Sequence, residues 1–171
     1  MAACRPLHFR RGGTGEWHDG RQPSASQSDN GAVNRQGTQD AKLPEPDGEL
    51  DQVARVVVDA ALEVHRIVGP GLLHAVYEQA LSVELGLRGV GFARQVPVAV
   101  TYKNVAIGQA RLDFLVAERL VVELKACSSL LPIHLAQVLS YLKASERSLG
   151  LLINFNVPLL RYGIRRVIRT R

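Results

Sequence analysis

The 171 residues, 46% apolar and 22% charged, provide for one globular domain of ordinary size, with a long appendage or without one. Two cysteines, Cys4 and Cys127, exclude a disulfide framework, a four-cysteine zinc site and a cysteine-ligated iron–sulfur cluster, and no apolar run approaches the roughly 18 residues of a membrane-spanning helix. The net charge of +5 falls wholly on residues 49–171, with Arg161, Arg165, Arg166, Arg169 and Arg171 crowded at the end; such a field favours a polyanion, or simply keeps an edge strand soluble.

Residues 1–48 are rich in Gly, Gln, Ser, Asn, Asp and Pro and show no apolar period, so they are expected to form a disordered N-terminal extension. Their start lacks an apolar segment, so no secretory leader is expected and the default is a reduced, cytoplasmic protein without a membrane partner. The stretch reads equally as a tail without function or as an extension ahead of the true start. A domain over 49–171 follows. Val53, Val56, Val57, Ala60, Ala61, Val64, Ile67 and Val68 recur at helical spacing and predict an amphipathic helix over 49–68, stopped by Gly69-Pro70-Gly71. A second helix over 72–88 turns Leu73, Val76, Tyr77, Ala80, Leu81, Glu84 and Leu85 inward, and Gly89 and Gly91 end it. Three strand-like runs come next: Gln95–Tyr102, then Val105–Val116 after a Lys103-Asn104 turn, then Leu120–Ala126 after the short loop Ala117-Glu118-Arg119. Residues 132–145 return to helical period, Leu149–Phe155 reads as a buried strand, and Gly163–Arg169 as a more exposed one. The order ααβββαββ predicts a three-layer α/β domain with helices flanking a mixed sheet.

With the hairpin loop centred on Glu118, Asp113 falls opposite Glu123 and Arg111 opposite Lys125. Alternation puts Leu112, Phe114 and Val116 on one apolar face with Leu120, Val122 and Leu124, and leaves Arg111, Asp113, Leu115, Val121, Glu123 and Lys125 on the other. Two directly opposed carboxylates, with Cβ atoms about 5 Å apart, destabilise a sheet unless something neutralises them. A divalent cation bound by both acids, water and a phosphate oxygen does so, as Mg²⁺ is commonly held. Lys125, on the same face, could orient or deprotonate a water or stabilise charge developing on phosphorus. On the helix that follows, His134, Gln137 and Tyr141 form a polar stripe that could be aimed at a phosphate. The plainer alternative is an exposed sheet face on which Arg111 and Lys125 screen the acids, beside a solvent-facing helix stripe. Gly-rich GPG at 69–71 and GVG at 89–91 do not lie between a strand and a helix as phosphate loops require, and no serine stands in a G-x-S-x-G context.

Together, Asp113, Glu123-Leu124-Lys125 and Gln137-Val138-Leu139-Ser140-Tyr141 resemble the PD-(D/E)XK nuclease superfamily and, within it, the small GxxExxY protein family. The likeness runs over about residues 50–168, through GPGLLHAVYEQAL, RQVPVAVTYKN, RLDFLV, VVELKA, HLAQVLSYL, GLLINFNV and GIRRV. It implies a restriction-endonuclease-like core and a metal-dependent nuclease using Mg²⁺ or Mn²⁺ on nucleic acid. In that likeness Asp113 and Glu123 are the metal ligands, Lys125 the catalytic lysine, and Gln137 and Tyr141 supporting catalytic residues. Arg111, Arg165 and Arg166 are the expected nucleic-acid contacts. One position departs from the pattern: the family motif has a Glu after Gly-x-x, where Gly71-Leu72-Leu73 is followed by His74. An imidazole suits Mn²⁺ or Zn²⁺ better than Mg²⁺. Three outcomes follow: His74 joins the metal ligands, Glu78 or Glu84 substitutes from the same helix, or the site is weakened and the fold binds nucleic acid or a protein partner without turnover. Gripping a duplex with so small a domain also calls for a homodimer or a protein partner, for which Leu72, Val157 and Leu159 are the contact candidates.

Overall fold

The computed structural model describes residues 46–170. The expected disorder of the N-terminal extension therefore lies, for residues 1–45, outside the described residues, as does Arg171. Asp47 opens the first helix by accepting the Leu50 N–H at 2.8 Å, and Glu49 and Asp51 in the first turn oppose the helix's positive end. The helix α1, Gly48–Val68, starts one residue before the apolar period because its cap does, and Gly69, at φ +71°, ends it. The helix α2 is His74–Leu87. Tyr77 is wholly buried, stacks on Phe155 at 4.6 Å, donates to the Gly69 carbonyl at 2.9 Å and accepts the Leu72 N–H at 3.0 Å. One side chain thus ties the Gly-Pro-Gly turn to the core and sets where α2 begins, which is where His74 stands.

The strands β1 (Phe92–Tyr102), β2 (Val105–Val116), β3 (Leu120–Lys125), β4 (Leu149–Asn154) and β5 (Ile164–Ile168) form one sheet in that spatial order. Only β3 and β4 run parallel, joined by the crossover helix α3, Pro132–Ala144. A short 3₁₀ turn, Leu160–Tyr162, precedes β5. On one face α1 and α2 bury Val57, Ala60, Tyr77, Leu81 and Leu85 against Phe114, Val122, Leu124 and Ile153. On the other, α3 buries Val138 and Leu142 against Leu112, Val121, Leu152 and Val167. The predicted element order and the three-layer α/β class are those observed, a mixed sheet between helices. No helix among the described residues is long and apolar enough to cross a membrane.

The crossover helix lies close over β4 because Gly150 has no side chain: a Cβ there would meet Val138 Cγ1 at 2.8 Å. Val138 is β-branched and fully buried, so it has little room to yield. Gly150→Ala is expected to cost about 2 kcal/mol of stability by pushing α3 outward. An unchanged melting temperature would contradict this close approach.

The hairpin register is as the loop dictates where the strands pair: Phe114 opposes Val122, Leu115 opposes Val121 and Val116 opposes Leu120. The ladder ends there, so Asp113 and Glu123 are not a directly bonded cross-strand pair. Leu112 also departs from the expected apolar face, packing with the α3 cluster while Phe114 and Val116 pack with the α1–α2 cluster. The cause lies in β1. Arg94 pairs with Phe114 and Val96 with Leu112, but the intervening rung, Gln95 opposite Asp113, is unpaired and Gln95 has φ +52°. Both strands lose their alternation at this point, and everything beyond it faces the other layer.

Candidate active site

Where β2 and β3 part, a cleft of about 610 Å³ opens, lined by His74, Glu78, Gln95, Gln109, Ala110, Arg111, Asp113, Glu123, Lys125, Gln137 and Tyr141. Four parts of the fold converge here: the first residue of α2, the break in β1, the end of the β2–β3 ladder, and the Gln137–Tyr141 side of α3. Asp113 Oδ2 accepts the Leu124 N–H at 2.8 Å and lies 3.1 Å from His74 Nε2. The backbone donor that pairing with β2 would have used is therefore satisfied by the Asp113 side chain, which fixes the carboxylate at the mouth of the split. Gln95 Nε2 is 3.5 Å from the other oxygen, Oδ1. Glu123 is only 4% exposed, and its Oε1 accepts from Lys125 Nζ at 2.6 Å. Its Oε2 is buried with no donor among the described residues. Gln137 Nε2 donates to Tyr141 Oη at 2.7 Å, joining the two helix residues one turn apart.

Burial, reinforced by the charge of Asp113, pushes the Glu123 carboxyl up to about 7, against the pull of Lys125. Asp113 is drawn upward by its own burial, but the bonds from His74 and the Leu124 N–H outweigh this and hold it below the usual carboxylate range. His74 is raised by its bond to Asp113, against the opposing effect of burial. The two acids thus answer one environment in opposite ways: one keeps its charge by borrowing donors, the other is left short of them. A buried carboxylate oxygen without a donor, beside a second carboxylate, is a poor place for a proton donor to be missing and a good one for a hard cation. The residues present fit such an ion. Among the described residues, no three His, Cys, Asp or Glu side chains converge into a metal site.

The structure brings together seven of the nine residues singled out by sequence: His74, Arg111, Asp113, Glu123, Lys125, Gln137 and Tyr141. Arg165 and Arg166 are elsewhere, on β5 at the opposite edge of the sheet; Arg166 pairs with Asp51 on α1 at 2.6 Å, and Arg165 donates to the Tyr162 and Ile164 carbonyls. Glu78 lines the cleft one turn past His74 but is held by Arg94 at 2.9 Å, and Glu84 pairs with Arg88 at 2.7 Å away from it. His134 leaves the polar stripe to cap α3, its Nδ1 accepting the Leu131 N–H at 3.1 Å. Gln95 and Gln109 are additions. Counting back from the Lys103-Asn104 turn puts Arg94 opposite Asp113; a bulge between Val100 and Thr101 advances the register by one and brings Gln95 there instead.

A family model described as the PD-(D/E)XK nuclease superfamily matches residues 51–167. No curated protein and no solved structure matches the chain.

Proposed function

Because the chain belongs to the PD-(D/E)XK nuclease superfamily, we propose that it is a divalent-metal-dependent phosphodiesterase of the GxxExxY type, acting on nucleic acid in the cleft around Asp113 and Glu123. The observation that carries this reading is the donorless, buried Oε2 of Glu123 beside a second acid. Asp113 and Glu123 would hold Mg²⁺ or Mn²⁺, and His74, bonded to Asp113, steadies that acid rather than adding a third ligand. When bound, the cation neutralises the two acids and polarises the phosphodiester oxygens. Lys125 spends one of its three N–H donors on Glu123 and keeps the others for a phosphate oxygen or a water. Tyr141, whose oxygen already accepts from Gln137, keeps its own O–H to donate to a phosphate. Arg111, exposed at the cleft wall, meets the flanking backbone.

The test is hydrolysis of single- and double-stranded DNA and RNA with Mg²⁺ or Mn²⁺, by the wild type and by Lys125→Met. Cleavage is expected only with the cation and only by the wild type, while both proteins bind nucleic acid. A second reading, a nuclease fold kept for binding alone, rests on His74 standing where the motif has an acid. Salt-sensitive binding by both proteins with no cleavage by either would favour it.

A further inference from the structure

Gln95 sits inside β1 with φ +52°, in the left-handed region. Glycine adopts it freely and asparagine and aspartate tolerate it; a glutamine in mid-strand is held there by its surroundings. The consequence for the sheet is the change of face already described. Before the rung, Arg94 reaches Glu78 on α2 and Phe114 packs under α1 and α2; after it, Val96 and Leu112 pack under α3. The strand gives up its alternation at this one position, and what stands there is an amide in the cleft, on the free oxygen of Asp113. The other oxygen is fully engaged by the Leu124 N–H and His74. Among the described residues, the hydrogen bond to Oδ1 comes from the Gln95 amide, at 3.5 Å.

We propose that Gln95 is a positioning residue of the cation site: its amide, set by the strained turn of β1, holds the Asp113 carboxylate so that Oδ1 faces the cleft as a ligand for a hard divalent cation. The inference rests on reading the cleft as a metal site. Groups that orient a metal's ligands typically change its affinity 10- to 100-fold when removed. Strain and positioning make separable predictions, because glycine relieves the backbone while alanine keeps it strained, and both delete the amide.

The experiment is calorimetric titration of the full chain with Mn²⁺, as wild type, Gln95→Gly and Gln95→Ala, with thermal melts of each in EDTA. Both variants are expected to lose about 10-fold or more in Mn²⁺ affinity, while Gln95→Gly melts at or above the wild-type temperature and Gln95→Ala below Gln95→Gly. Wild-type Mn²⁺ affinity in Gln95→Gly overturns the proposal, because the residue would then serve the backbone alone. Wild type that takes up no Mn²⁺, with or without nucleic acid, overturns the metal-site reading and this inference with it.

Discussion

Glu123→Gln is expected to make the protein more stable in EDTA at pH 8 while removing its affinity for divalent cations. The carboxyl is pushed from its ordinary 4.5 to about 7, first by burial and then by Asp113. An acid raised on folding binds its proton more tightly in the folded chain than in the unfolded one. Stability is therefore undiminished below about 4.5, falls as pH climbs toward 7, and is at its lowest once Glu123 is fully charged. The shift corresponds to on the order of 3 kcal/mol at pH 8, which for a domain of this size is about 10 °C in melting temperature. Glutamine keeps the shape and still accepts from Lys125, but carries no charge to desolvate or to oppose Asp113. His74, raised by Asp113, contributes stability at low pH that is lost as pH rises through its folded value, so it slopes the same way and remains in the variant. Asp113, held low, contributes stability present above 3.8 and lost only as pH falls through its still lower folded value. The wild type should thus melt higher near pH 5 than at pH 8, and the variant should lose most of that slope. Adding Mn²⁺ at pH 8 should raise the wild-type melting temperature and leave the variant unmoved. A variant less stable than wild type at pH 8, or one that still binds Mn²⁺, would show that Glu123 is not a charge awaiting a cation.

What could be read from sequence, and what could not, divides along the distance over which each feature is determined. Helix α1 follows from eight apolar residues at one period and ends at a glycine, all of it local. The Phe114–Val122 pairing follows from the length of one loop. These local rules sufficed to draw Asp113, Glu123 and Lys125 to one end of β2 and β3, and the Gln137–Tyr141 spacing placed both on one side of α3. The ladder's early end is different in kind. It depends on Asp113 taking the Leu124 N–H for its own side chain and on His74 arriving from α2, contacts 11 and 39 residues apart in the chain. Leu112 changes layer for the same reason, since the Gln95 rung is opened by packing on both sides and by no turn signal. Arg165 and Arg166 are neighbours in sequence but lie on β5, away from the cleft, and Arg166 pairs with Asp51 on α1.

Asn154→Ala is expected to be the costliest polar substitution in the fold, about 3 kcal/mol by the usual penalty for stranding several buried partners. The residue ends β4, is 1% exposed, and lies opposite Lys125 in the parallel ladder. Its side-chain oxygen accepts the Cys127 N–H at 3.1 Å and the Asn156 N–H at 3.2 Å, and its amide donates to the Cys127 carbonyl at 2.8 Å. Those bonds serve the chain as it leaves β3, between Lys125 and the loop into α3, where no regular ladder remains to satisfy it. Phe155 adds a backbone bond to the Lys125 carbonyl at 2.9 Å, so the two strand ends are laced together from both sides. Alanine leaves the Cys127 N–H and carbonyl and the Asn156 N–H unpaired at once, beneath the two elements that carry Lys125, Gln137 and Tyr141. Asn154→Asp separates the contributions: it keeps both accepted bonds, loses the donated one and buries a carboxylate against the Cys127 carbonyl, so it should be strongly destabilised at pH 7 and recover toward wild type once protonated. Urea unfolding of the three proteins measures this directly. Equal midpoints for wild type and alanine would mean that water takes over these bonds, and that the β3–α3 junction is held by its backbone alone.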